Sequence, residues 1–138
     1  MRQALHRFTR STDGKGLYDV TREAAGWVAG LGIGTGLLTV FCRHTSASLL
    51  IQENADPTVR ADMERYFERI APEGPHYAHD FEGPDDMPAH LRTALTQTSL
   101  AVPVENGRPL LGTWQGLYLF EHRSRPHRRE IVLHLIGE

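Results

Sequence analysis

Arg129-Glu130-Ile131-Val132-Leu133-His134-Leu135-Ile136 is the stretch that decides the fold. In a strand, successive side chains point to opposite faces. Ile131, Leu133 and Leu135 therefore share one face, and Val132, His134 and Ile136 share the other. Both faces are largely apolar, which predicts a strand buried on two sides or one that meets another subunit. Ser124-Arg125-Pro126-His127 turns the chain into this strand from a long one, Leu110 to Glu121. Before that, Glu105-Asn106-Gly107-Arg108 reads as a hairpin turn that follows a strand at 100–104.

Moving toward the N-terminus, apolar and β-branched content predicts strands at 5–9, 17–20, 37–42 and 48–52. Helices are fewer. Thr21 starts one, with Ala24, Ala25, Val28 and Leu31 at helical spacing, and the glycines at 30, 32, 34 and 36 end it. Asp56-Pro57 starts a second, with Asp as N-cap and Pro at the first helical position, and Pro72 ends it. Pro88 opens a third, shorter helix, with Asp86 available to cap it. The pattern predicts an α+β fold. One β-rich domain spans 1–138, an antiparallel sheet or sandwich with two or three covering helices.

The chain has 138 residues, enough for one core without disulfides or a structural metal. Its net charge of −2 gives no reason to expect a nucleic-acid partner. The single cysteine, Cys42, lies in an apolar run, so a buried strand residue in a reducing compartment is expected. No stretch is long and apolar enough for a membrane span, and the N-terminus lacks a signal-peptide core. These features predict a cytoplasmic protein with no membrane partner.

Three polar constellations stand out. The first is His44-Thr45-Ser46-Ala47-Ser48, followed by Gln52-Glu53-Asn54-Ala55-Asp56. It sets an imidazole, hydroxyls, an amide and carboxylates at strand ends and before a helix N-terminus, a place suited to phosphate. Asp56 reads first as a plain N-cap. The second runs from His76 to His90, with His79, Glu82, Asp85 and Asp86 between. Histidine with carboxylate binds divalent metals and also performs acid–base chemistry near neutral pH. His90 falls in the first turn of its helix, where the dipole disfavours an imidazolium, which suits a ligand or a base. The third is Gly112-Thr113-Trp114-Gln115-Gly116 with Glu121-His122-Arg123. Alternation would put Thr113, Gln115 and Glu121 on a polar side and Trp114, Tyr118 and Phe120 on an aromatic one. Two glycines within a strand imply a bulge or a close approach.

Some familiar patterns are excluded. Gly30 to Gly36 alternates glycine like a dinucleotide loop, but it follows a helix and precedes a strand, the reverse of what pyrophosphate binding needs. It reads as a flexible connector. There is no Gly-x-Ser-x-Gly elbow and no Walker loop.

The three constellations, in this order, resemble the YjbQ family. The matching stretches are His44 to Ser48, Glu53 to Asp56, Glu82-Gly83-Pro84-Asp85-Asp86-Met87-Pro88-Ala89-His90, and Gly112 to Gly116 with Glu121-His122-Arg123. The resemblance runs from about residue 5 to the C-terminus. It implies a compact β-rich fold, a homotrimer with pockets near subunit interfaces, and weak thiamine-phosphate synthase activity. That reaction joins a pyrimidine pyrophosphate to a thiazole phosphate. The resemblance carries over His44, Glu53, Asp56, His79, Asp86, His90 and Gln115 as site residues.

Three functional readings follow. In a transferase, His44, Glu53, Asp86 and His90 are catalytic. Ser46, Asn54, Asp56, Thr113, Gln115 and Arg123 bind a small phosphorylated metabolite, and a carboxylate-held divalent cation (magnesium) neutralises the leaving pyrophosphate. In a metal-dependent hydrolase, His44, His79 and His90 hold zinc. In a metabolite-binding protein, the same pocket binds without turnover.

Overall fold

The computed structural model describes residues 1–138. Eight strands and three helices follow in chain order: β1 (Arg2–Thr12), β2 (Gly16–Asp19), α1 (Thr21–Ala29), β3 (Gly36–Cys42), β4 (Ala47–Glu53), α2 (Pro57–Ile70), α3 (Asp86–Leu95), β5 (Ser99–Glu105), β6 (Arg108–Pro109), β7 (Gln115–Glu121) and β8 (His127–Gly137). Every strand pairing is antiparallel, and the result is one α+β, β-rich domain. The five-stranded sheet has the order β1-β8-β3-β5-β6, and the three-stranded sheet the order β2-β7-β4.

The core lies between the two sheets. Leu38, Val40 and Cys42 of β3, Val102 of β5, and Ile131, Leu133 and Leu135 of β8 meet Leu49 of β4 and Leu117 and Leu119 of β7. α1 adds Ala24 and Val28. The far side of the small sheet is covered by α2, whose Phe67 packs edge-on against Phe120 at 5.2 Å between centroids. The decisive strand, β8, therefore buries its Ile131 face fully. Its Val132 face is not buried in the chain: Ile136 is 38% exposed, and its row neighbour Leu37 is 43% exposed.

The Asn106-Gly107 turn forms as expected, with φ of 51° and 73° for a two-residue hairpin between β5 and β6. Cys42 is buried, and burial pushes its thiol up to about 11.

Three expectations need correction. The long strand predicted at 110–121 is interrupted. Only Gln115–Glu121 pairs, while Leu110 to Trp114 forms a loop with Trp114 64% exposed, so no aromatic stripe backs that segment. The opposite stripe is wet only at Thr113 and Gln115, since Glu121 is fully buried. The Gly30–Gly36 connector is tied down rather than loose. Gly34 and Thr35 donate their N–H groups to the Glu138 carbonyl at 2.8 and 3.0 Å. Gly36 sits opposite Gly137, where an added Cβ on Gly36 would fall 2.4 Å from the Ile136 carbonyl oxygen, so only glycine permits this approach. Finally, α3 begins at Asp86 rather than at Pro88. Asp85 occupies the capping position without capping, because its carboxylate is engaged elsewhere.

Candidate functional site

Asp86 and His90 lie four residues apart on α3 and so share one face of it. The irregular segment before α3 folds back over that face and delivers His79 and Glu82. One ligand atom from each of His79, Glu82, Asp86 and His90 lies within 4.8 Å of the other three. Asp86 Oδ2 is the centre of the group. His79 Nε2 is 2.7 Å from it and His90 Nε2 is 3.0 Å from it, while Glu82 Oε2 is 3.0 Å from His79 Nε2.

Two anchors fix this geometry. His90 Nδ1 lies 2.8 Å from the Thr45 carbonyl oxygen. A carbonyl can only accept, so His90 carries a hydrogen on Nδ1, and its Nε2 is the atom left facing Asp86. Arg123 is the second anchor. Its Nη1 donates to Asp86 Oδ1 at 2.7 Å, its Nε to Asp85 Oδ2 at 3.0 Å, and its Nη2 to the Glu82 carbonyl at 2.8 Å. Asp86 thus presents a single free oxygen to the histidines.

The electrostatics follow. Burial raises the Asp85 carboxyl, but the Arg123 bonds and the Ser124 N–H outweigh it and hold the group at about 2. The Asp86 carboxyl is likewise lowered, with burial opposed by His79, His90 and Arg123. Hydrogen bonding to Asp86 raises His79. The cluster combines two imidazoles with two carboxylates, a donor set fitted to a borderline divalent cation such as zinc.

His44 stands apart from it. Its Nε2 accepts from the Glu130 backbone N–H at 2.8 Å, so the expected triad of His44, His79 and His90 does not form; Asp86 takes the place given to His44. His44 and Ser46 instead line an open cavity of about 680 Å³ between the end of β3 and α3, with His90 on its wall. Beneath them, Arg129 and Glu121 form a buried ion pair, Nε to Oε1 at 2.8 Å and Nη2 to Oε2 at 2.5 Å. Thr12 Oγ1 and the N–H groups of His122 and Arg123 complete the Glu121 carboxylate.

The remaining expected residues sit at the opposite end of β4, about 20 Å away at the usual rise per strand residue. There Glu53 Oε2 accepts from the N–H groups of Ala55 and Asp56 at 3.0 and 2.9 Å. Asp56 caps α2, accepting from the Thr58 N–H at 2.9 Å, a bond that lowers its carboxyl. Asn54 Nδ2 donates to the carbonyls of Thr113 and Gln115 at 3.3 and 3.4 Å, and Gln115 Oε1 accepts from the Gly112 N–H at 2.8 Å. Glu53, Asn54, Asp56, Thr113 and Gln115 therefore hold a loop and a helix start within the chain, and do not converge on His90. Arg123, expected on substrate, is committed to the two aspartates.

The Thr45 carbonyl and Arg129 are site features that sequence reasoning passed over, and Glu82 and Glu121, though within the constellations, were not among the residues assigned a role. Glu82 was within sight, three residues from His79. The buried pair gave no signal, since Glu121 reads as an ordinary solvated residue at its strand position.

The model of UPF0047 protein YjbQ-like sequences matches residues 6–138. A UPF0047 protein of Synechocystis is 54% identical over 129 residues, covering 93% of this chain and 88% of its own. The UPF0047 protein YjbQ of Escherichia coli O157:H7 is 47% identical over 131 residues, with coverage of 94% and 95%. Among solved structures, a hypothetical protein of Aeropyrum pernix K1 superposes with a TM-score of 0.90 at 29% identity, covering 98% of this chain and 99% of its own. An uncharacterized conserved protein of Clostridium acetobutylicum, of the YjbQ/UPF0047 family, superposes at 0.88 with 32% identity, covering 95% and 99%. The chain belongs to the YjbQ-like UPF0047 family.

Proposed function

We propose that the protein is a metal-dependent enzyme acting on a small phosphorylated metabolite, with a divalent cation held by His79, Asp86 and His90. One observation carries this reading. The Thr45 carbonyl holds the Nδ1 hydrogen of His90, so in the neutral ring a lone pair on Nε2 faces the Asp86 oxygen at 3.0 Å. Two acceptors that close require a proton or a cation between them. A histidine whose other N–H is held by a backbone carbonyl is also the usual arrangement of a metal ligand. Three protein ligands leave a position for water or substrate. Glu82, on the exposed rim, serves as a fourth ligand or as the base for that water.

Thiamine-phosphate synthase chemistry is the transferase form of this reading. The cation would neutralise a leaving pyrophosphate. Arg125, in the neighbouring cavity of about 540 Å³ lined by Glu82, Asp85 and Arg123, is the cation there that no acid engages. We propose further that the working unit is a homotrimer, for which the half-exposed apolar face of the large sheet is the supporting feature.

Protein purified without chelators is expected to carry about one zinc-type ion per chain, by elemental analysis. Asp86→Asn should abolish it. Metal-free protein that cannot be reloaded would overturn the proposal. With metal in place, product from the pyrimidine pyrophosphate and the thiazole phosphate, lost in Asp86→Asn, selects the transferase. Hydrolysis of either substrate alone selects a hydrolase, and substrate recovered unchanged leaves a binding protein.

A further inference from the structure

The Glu130 backbone N–H donates to His44 Nε2 at 2.8 Å. A neutral imidazole has one lone pair, so the hydrogen of His44 must sit on Nδ1. That Nδ1 lies 3.5 Å from Nη1 of Arg129, which can only donate. Two donors therefore face each other with no acceptor between them. Arg129 is 4% exposed, and its other nitrogens are taken. Nε and Nη2 bind Glu121, and Nη2 also reaches the Ser46 hydroxyl at 3.0 Å. Its Nη1 hydrogens have no acceptor within the chain.

His44 and Ser46 line the 680 Å³ cavity, Arg129 is buried directly behind them, and no acidic residue is among the ten that line it. At its rim, Arg43 shares the Glu130 carboxylate with Arg7, at 3.3 and 3.4 Å, so two cations meet one anion. The two facing donors lack an acceptor, and the rim carries a positive excess.

We propose that this cavity is an oxyanion subsite, in which one oxygen of a small carboxylate or phosphate accepts jointly from His44 Nδ1 and Arg129 Nη1. Arg43 adds a favourable field from the rim. As a substrate subsite it rests on the metal-enzyme reading, because His90 borders both the cavity and the cation and so sets the anionic end of a substrate beside the metal. As an anion site it stands without the metal.

The test uses the metal-free full chain, uniformly nitrogen-labelled, titrated with inorganic phosphate and, separately, with acetate. Saturable movement of the His44 Nδ1 resonance and of the Ser46 amide is expected. The anion that binds more tightly identifies the substrate group as phosphate or carboxylate. Removing one donor by His44→Phe should raise the dissociation constant at least about tenfold, the loss of one charge-assisted hydrogen bond. Should that variant not fold, Arg43→Ala at the exposed rim should weaken binding several-fold in low salt and little in high salt. His44 resonances that neither anion moves would overturn the subsite. So would anion binding that appears only after zinc loading and vanishes in Asp86→Asn, an outcome that leaves the metal centre standing. Phosphate binding at His44 in protein that takes up no metal would do the opposite, keeping the anion site and removing the metal centre.

Discussion

His122 shows how a single side chain sets acid sensitivity. It is fully buried, its Nε2 meets the Ser48 hydroxyl at 2.9 Å, and its Nδ1 has no partner. Burial, helped by the positive charge of Arg92, pushes its pKa from 6.5 down to about 3. Between those values the unfolded chain binds a proton that the folded chain refuses, so stability falls as pH falls. The slope from this one group is up to about 1.4 kcal/mol per pH unit. Glu121 acts in the same sense further down. Burial raises its carboxyl, Arg129 and Thr12 outweigh burial, and the net lowering is stability that disappears as pH drops below the ordinary glutamate range. Urea denaturation at pH 7 and pH 5 is expected to show wild type losing more stability than His122→Gln. Equal losses would mean that His122 does not stay neutral inside the fold. None of this was legible in the sequence, where His122 and Glu121 read as surface and strand polar residues. Their burial follows from how β7 and β8 pack, which a period of two does not reveal. Asp86 and His90 were legible as candidates by residue type, but not as a pair on one helical face, because Pro88 read as the helix start and left Asp86 outside it as a cap.

At the scale of elements, β4 decides which polar residues meet. Its seven residues carry one constellation at each end, near in sequence and far apart in space. This is why the motif residues divide into a cluster with His90 and a bracket around the 110–114 loop. The bracket stabilises the start of α2, and Asp56 is its clearest test. Asp56→Ala removes the cap bond to the Thr58 N–H and should lower the denaturant midpoint. Asp56→Ser, which keeps a capping oxygen, should restore most of it. Metal uptake should be the same in all three proteins, whereas a residue that touches the site would change it. The helix start at Asp56-Pro57 was readable because capping is local. The break at Leu110–Trp114 was not, because an apolar, β-branched composition does not say where pairing stops.

For the whole molecule, register lays out the outer face of the large sheet. Leu5, His134 and Thr39 form one row, and Val132 lies beside Phe41 in another. Phe41 is 42% exposed and Leu5 59%, so exposed apolar side chains stand on this face among the polar Arg7, Thr39 and His134. If copies of the chain associate through it, Phe41→Glu should convert the trimer to monomer in sedimentation velocity while the denaturant midpoint of the monomer stays native-like. A trimer that persists would place the interface elsewhere. The two-faced apolar pattern of β8 pointed to this surface, but only the register shows which neighbours share it. The position of β8 between β1 and β3 has a further consequence, for biosynthesis. Thr12 of β1 meets His127 of β8, a separation of 115 residues. While the chain is being made, β1 leaves the ribosome well before β8 and waits beside a gap that only β8 can fill. The large sheet then closes in a single late step, and until it does the nascent chain shows two unpaired edges to its surroundings.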